Sequence, residues 1–339
     1  MIARVPEGVR VGITGLGAHV PQRVLANADL ARTLDTSDEW IRARTGIRER
    51  RIAAPAEAAS DLAVPAALAA LERAAAEPAS LDLVLVATAS PDMLFPSTAS
   101  ILAERIGAAG AAAYDLSAGC TGFVYALAQA HAAVASELAA RVLVVGSEVL
   151  SRLTDWDDRA TCILFGDGAG AVVVERVGTG GFLGFELGSD GSLAGELTLP
   201  AGGSRLPASA ETVAAGAHRI RMNGRTVFRF STSATAGSIE RLLAACGLTL
   251  DDVDVYAPHQ ANRRIVDHAV RRLRLDPEKV LVNIDRYGNT STASIPLVLD
   301  EAAGAGLLVP GRRVLLSAVG AGLTWGSALL VWSGERAGR

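Results

Sequence analysis

Lysine is almost absent from this chain. Among 339 residues it occurs once, at Lys279, and arginine carries the rest of the basic charge. The formal net charge is -4, so there is no global basic field of the kind that nucleic acid needs, and nucleic acid is not expected as a partner. Cysteine is equally scarce. Cys120, Cys162 and Cys246 form no CxxC and no even-numbered framework, which argues against a disulfide scaffold or a zinc site and fits a reducing compartment. No apolar run approaches the roughly 20 residues of a membrane span. The N-terminus, MIARVPEGVRVGITGLG, carries no apolar stretch followed by a cleavage site. A cytoplasmic protein without a membrane partner is therefore expected. Aromatics make up only 4% of the chain whereas half of it is hydrophobic, a balance that favours small residues packing helices closely onto sheets.

Short β-branched runs alternate with Ala-rich helical stretches, the pattern of an α/β protein with buried strands. The expected strands are 11–14, 83–88, 142–146, 171–175, 253–257, 280–284, 314–317 and 327–332. The expected helices are 61–76, 97–106, 122–139, 232–246, 263–272 and 292–304. The two halves also repeat. DLVLVA ending at Ala87 matches DVDVYA ending at Ala257 at an offset of 170, which also carries Asp115 onto Asp285. After two further residues, RVLVVGS from Arg141 matches RVLLSAV from Arg313. An internal duplication follows, with an expected division into an N-terminal half, 1–178, and a C-terminal half, 179–339.

SAGCTGFVYALAQA sets Cys120 between small residues, directly ahead of a helical run. A thiol there feels the positive end of the helix, which favours thiolate. The flanking glycines admit a substrate carbonyl and backbone N–H groups close to the sulfur. Cys162 and Cys246 look like buried structural cysteines. His259 follows a buried strand in VYAPHQANRR, where ligand sites collect in open α/β sheets. Asn289, in DRYGNTSTAS, falls almost opposite Cys120 in the repeat; as a lone signal, a cap or turn role is equally open. GITGLG resembles a dinucleotide loop, but Pro21 stands where the helix should begin, so that reading is rejected.

These motifs, with NADL, DTSDEWIRARTGIRERRIA, FPST, VVGSEVL, DWDDRATCILFGDGAGA, GSDGS and TWGSA, resemble the 3-oxoacyl-acyl-carrier-protein synthase III family nearly end to end. The resemblance implies the thiolase fold, an α/β arrangement of two similar halves in five α-β-α-β-α layers. It implies an acyltransferase that condenses an acyl-CoA primer with malonyl-acyl carrier protein, initiating type II fatty acid synthesis. No cofactor is permanently bound; coenzyme A arrives as a substrate thioester. Cys120 becomes the acylated nucleophile, and His259 and Asn289 the pair that promotes malonyl decarboxylation. The N–H groups of Cys120 and Ala321 form the oxyanion hole, with Ala321 replacing the middle of three glycines found in many relatives. Trp40, Arg44, Arg159 and Asn262 are assigned to coenzyme A. Arg229, Arg264, Arg271 and Arg272 form the carrier-protein docking surface. A homodimer is implied, with Phe95 reaching across it to close the partner's acyl pocket.

Other readings remain at this level. A cysteine hydrolase also uses Cys, His and Asn, but the local papain signature is missing and the chain is duplicated. A degradative thiolase needs a second active-site cysteine, where this chain has GAGLTWGS. A non-catalytic scaffold would have no use for the Cys, His and Asn set. A priming enzyme of a polyketide or other secondary pathway shares the chemistry and is the nearest alternative.

Overall fold

The computed structural model describes residues 1–6 and 8–333. Two five-stranded sheets organise them. The first runs, edge to edge, through Val11–His19, Asp167–Arg176, Arg141–Val149, Leu83–Ala87 and Ala112–Leu116. The second runs through Ile2–Arg4, Gly181–Ser189, Thr324–Val331, Arg313–Gly320 and Val255–Pro258. Leu83–Ala87 lies parallel to Arg141–Val149, as Val255–Pro258 lies parallel to Arg313–Gly320, and antiparallel neighbours follow in both sheets. The same order of four strands thus recurs in both sheets, with Ala112–Leu116 added at one edge of the first and Ile2–Arg4 at the opposite edge of the second.

Five layers result. Helices Ala59–Arg73 and Thr98–Ile106 cover the outer face of the first sheet. Gly122–Ala135 and Ser294–Gly304 lie between the sheets, and Gly224–Cys246 with Arg263–Leu273 covers the second. This is the five-layered architecture expected. Strands such as Leu83–Ala87 are buried along their whole length because helices cover both faces, so their sequences are continuously apolar. The GITGLG glycines belong to strand Val11–His19; a Cβ at Gly15 or Gly17 would collide with the carbonyl oxygens of Ala70 or Ala66. Their smallness admits helix Ala59–Arg73, and no phosphate loop exists there.

One expected strand does not form. Residues 280–284 make a single parallel bridge, Val280 to Tyr256, followed by a helical turn, Ile284–Tyr287. Leu281 donates its N–H to Tyr256, but its carbonyl accepts from the Gln260 side chain, so a side chain replaces the next ladder partner. The helix expected from 232 begins at Gly224, where the Asn223 side chain accepts the Thr226 N–H.

Candidate active site

Cys120 sits in a tight turn, Gly119–Thr121, that leads into helix Gly122–Ala135 between the sheets. Gly119 has φ +54°, and a Cβ on it would lie 2.6 Å from the Ala321 nitrogen; a Cβ on Gly320 would lie 2.5 Å from the Cys120 nitrogen. Only glycine at both positions lets the two loops touch. Among the described residues neither the Cys120 nor the Ala321 N–H is taken by a turn or ladder bond. The loops that carry these two N–H groups thus meet beside the thiol, and the Cys120 N–H itself bonds to the sulfur.

His259 extends strand Val255–Pro258, its N–H donating to Ser317 O at 2.7 Å. The ring is buried; Nδ1 lies 2.6 Å from Ser294 Oγ, while Nε2 has no partner. Burial pushes the ring pKa down to about 3, so it is uncharged at neutral pH. Asn289 precedes helix Ser294–Gly304 of the other half, as Cys120 precedes its own helix. Its N–H donates to Leu164 O at 2.8 Å and its carbonyl accepts from Gly166 N–H at 3.1 Å. Its Oδ1 accepts the Ser291 N–H at 2.9 Å, which leaves the amide NH2 for a ligand. Cys120, His259, Asn289 and Asn262 line one narrow cavity of about 90 Å³, with Phe228 and Gly320.

The expected thiolate is corrected. Burial pushes the Cys120 thiol up to about 11, with the Glu148 carboxyl adding to the rise and the Ser291 hydroxyl opposing it. A helix terminus contributes about 0.3–2 kcal/mol, at most about a thirtyfold gain in acidity. Burial, which pushes the thiol up to about 11, thus opposes the helix end by more than that gain, although the residue as a whole is only half-buried. Cys162 is also pushed up to about 11 by burial, in keeping with a structural cysteine.

Outside the cavity, Arg159 and Arg44 stand over the Trp40 ring at 4.9 and 5.5 Å from its centroid. Asn262 Nδ2 donates to Arg44 O at 3.1 Å, tying this cluster to the cavity wall. Arg229, Arg264, Arg271 and Arg272 are exposed on two packed helices, and Arg264 lies over Phe228 at 5.2 Å. Phe95 does not line the cavity. It is 84% exposed, next to exposed Met93 and Leu94.

Comparison with known proteins settles the family. Models described as 3-oxoacyl-[acyl-carrier-protein (ACP)] synthase III and its C-terminal region match residues 114–191 and 243–332. The beta-ketoacyl-[acyl-carrier-protein] synthase III of Caldanaerobacter subterraneus is 51% identical over 96% of this chain and 99% of its own length. The chain belongs to the beta-ketoacyl-[acyl-carrier-protein] synthase III family. The solved synthase III of Thermus thermophilus is 50% identical, covering 95% of this chain and 99% of its own, with TM-score 0.87. The priming beta-ketosynthase of the R1128 polyketide pathway has TM-score 0.89 at 36% identity, covering 98% of this chain and 99% of its own. The fold is thus shared by both, and identities of about 50% are reached with proteins named synthase III.

Three neighbours of the site were not singled out from sequence. Ser294 holds His259. Ser291, at φ +48°, has a buried hydroxyl close enough to the Cys120 thiol and the Glu148 carboxyl to favour the charged form of each. Glu148 is fully buried and accepts from Ser90 Oγ at 2.6 Å, Ala89 N–H at 3.1 Å and Thr292 Oγ1 at 3.0 Å. It fastens the turn after Asn289 to the first sheet. Serines in TSTAS and a glutamate in GSEVL carry no signal that separates them from ordinary turn and strand residues.

Proposed function

We propose that this chain performs the decarboxylative condensation of an acyl-CoA primer with malonyl-acyl carrier protein, starting type II fatty acid synthesis. The observation that carries the reading is the convergence of Cys120, His259 and Asn289, drawn from both halves, on one narrow cavity. In the first half-reaction the Cys120 sulfur attacks the primer carbonyl and coenzyme A leaves as its thiol, while the N–H groups of Cys120 and Ala321 hold the oxyanion. In the second, loss of carbon dioxide from the malonyl group leaves an enolate whose oxygen accepts hydrogen bonds from Asn289 and His259. Its carbon attacks the acyl-enzyme and Cys120 is released. A carboxylate in place of His259 or Asn289 would repel the enolate.

Trp40, Arg44, Arg159 and Asn262 bind coenzyme A, the aromatic face and guanidinium groups suiting a purine and phosphates. Arg229, Arg264, Arg271 and Arg272 dock the acidic carrier protein. No resident cofactor takes part. The working unit is a cytoplasmic homodimer in which exposed Phe95 closes the partner's acyl pocket and limits primers to acetyl or small branched chains. Residues 1–178 supply the nucleophile, and 179–339 supply His259 and Asn289. Among the described residues no helix is long and apolar enough to cross a membrane.

The deciding experiment offers graded acyl-CoA primers with malonyl-carrier protein and follows the enzyme by intact-protein mass spectrometry. One acyl group on Cys120 from short primers, then its loss to a 3-oxoacyl-carrier protein, is the expected course. Acylation that persists in Cys120→Ala would refute the assignment.

A further inference from the structure

Glu148 stands two residues beyond Gly146 on strand Arg141–Val149, and residues two apart share a face. A Cβ on Gly146 would lie 2.3 Å from the Thr292 carbonyl oxygen, so the turn after Asn289 sits directly on that face. The wholly buried Glu148 carboxyl meets the same turn. Thr292 Oγ1 lies 3.0 Å from its Oε1 and 2.8 Å from Ala87 O. Asn289 is aimed from this turn, because its Oδ1 accepts the Ser291 N–H at 2.9 Å. The other carboxyl oxygen faces a different segment. Oε2 accepts the Ser90 hydroxyl at 2.6 Å and the Ala89 N–H at 3.1 Å, and Ser90 Oγ accepts the Val149 N–H at 2.8 Å. These bonds fix the base of the loop that carries Phe95. The Asp92 N–H donates to Thr98 Oγ1 at 3.1 Å and closes the loop at its neck. Between Ser90 and Thr98 only the tip, residues 93–96, is exposed.

We propose that Glu148 is a positioning residue whose single carboxyl holds two functional segments, the turn that aims the Asn289 amide and the loop that presents Phe95. The proposal rests on the reading of Asn289 as a donor to the enolate and of Phe95 as the limit on primer length. Glu148 touches no substrate and acts through its hydrogen bonds alone. Loss of the Oε1 contact frees the turn, and loss of the Oε2 bonds frees the loop. An active-site group displaced by about 1 Å costs on the order of 10²-fold in rate. A loop loosened at its base lets the acyl pocket lengthen, and a pocket discriminates one methylene by about 10–200-fold. Burial pushes the Glu148 carboxyl pKa up, which favours its uncharged form. A side-chain amide should therefore serve in its place, its oxygen accepting from Ser90 and Ala89 and its NH2 donating to Thr292 Oγ1.

Substitutions at the two arms separate the effects, read as carbon dioxide release from malonyl-carrier protein and as the preference for acetyl-CoA over octanoyl-CoA in acyl-enzyme formation. Thr292→Val keeps the branched shape and removes the hydroxyl. It should slow decarboxylation about tenfold and leave the primer preference unmoved. Ser90→Ala should lower the preference about tenfold and leave decarboxylation unmoved. Glu148→Ala should show both losses, and Glu148→Gln should restore both. If Glu148→Ala does not fold, the two single-arm variants still decide. Either of them moving neither readout, or both readouts alike, overturns the proposal, as does Glu148→Gln that folds and is as damaged in both readouts as Glu148→Ala. Normal decarboxylation by Asn289→Ala, or an unchanged primer preference in Phe95→Thr, would instead sink the reading of those residues, an outcome seen with Glu148 intact.

Discussion

Arg50 is wholly buried and donates from Nη1 to Asn27 Oδ1 at 2.9 Å. The same guanidinium donates to Leu25 O at 3.1 Å and Ile163 O at 2.7 Å. No ion pair reaches it among the described residues, and although burial lowers its pKa to about 10 it stays charged at neutral pH. Asn27 in turn donates to Asp38 at 2.9 Å, at the start of helix Asp38–Thr45, which carries Trp40 and Arg44. Ile163 lies one residue before Leu164, the acceptor of the Asn289 N–H. A buried cation thus links the proposed coenzyme A cluster to the proposed decarboxylation site.

Arg50→Met keeps much of the volume and removes every donor. Three oxygens lose a partner, two of them in buried bonds, at about 1–3 kcal/mol for each buried one left unsatisfied. We expect a loss of about 3 kcal/mol or more in unfolding free energy, read from the urea midpoint at unchanged slope. A variant within about 0.5 kcal/mol of the wild type would mean that the guanidinium's desolvation cancels its bonds.

The raised Cys120 pKa has a kinetic consequence. Alkylation requires the thiolate, so its rate should climb with pH beyond the usual cysteine value of about 8.5 and level only toward about 11. Iodoacetamide labelling of a Cys162→Ala/Cys246→Ala background isolates the one thiol. A plateau reached near neutral pH would show that the helix terminus outweighs burial after all.

The legible parts of the sequence were those set by burial on both faces and by glycine. Leu83–Ala87 reads as a strand because each of its residues is buried, and Cys120 stands out because its glycine neighbours serve a close approach. The run 280–284 is apolar in the same way, yet a side chain of Gln260 takes its ladder position, which no local pattern reports. Gly181–Ser189 escaped notice because three glycines interrupt its alternation. Arg50 sits among Arg48 and Arg51 in TGIRERR, and composition alone makes all three look solvated. Ser294 matters through a partner 35 residues away, a distance at which sequence spacing is silent.

His259 and Asn289 should divide the chemistry unequally. Asn289 offers its amide to the enolate oxygen and touches no proton of Cys120, so Asn289→Ala should abolish malonyl decarboxylation while acylation by acetyl-CoA survives. His259→Ala should lose decarboxylation more severely than acylation, because a missing base slows thiol attack whereas a missing donor leaves the enolate unsupported. The half-reactions are assayed separately, by acyl-enzyme mass and by carbon dioxide release. Loss of acylation alone in both variants, with normal decarboxylation, would reverse this division. Because burial drives the His259 pKa down to about 3, protonation of the free enzyme's ring should give acylation no falling limb near pH 6.5. A limb there would place the ring in a wetter setting than the one found.

Carrier-protein docking is the last point open to test. Arg271 and Arg272 lie exposed in the final turn of helix Arg263–Leu273, with Glu240 4.0 Å from Arg272 as its nearest counter-charge. Neither lines the cavity. Arg271→Glu should therefore raise the KM for malonyl-carrier protein about fivefold, taking about 1 kcal/mol for one exposed charge contact, and leave the KM for acetyl-CoA unchanged. Because exposed charges are screened within about 8 Å at 0.15 M ionic strength, the wild-type advantage should shrink as salt rises and nearly vanish in 0.5 M sodium chloride. Initial rates with each substrate varied against a saturating partner distinguish the cases. Equal damage toward both substrates, or a difference indifferent to salt, would locate the docking surface elsewhere.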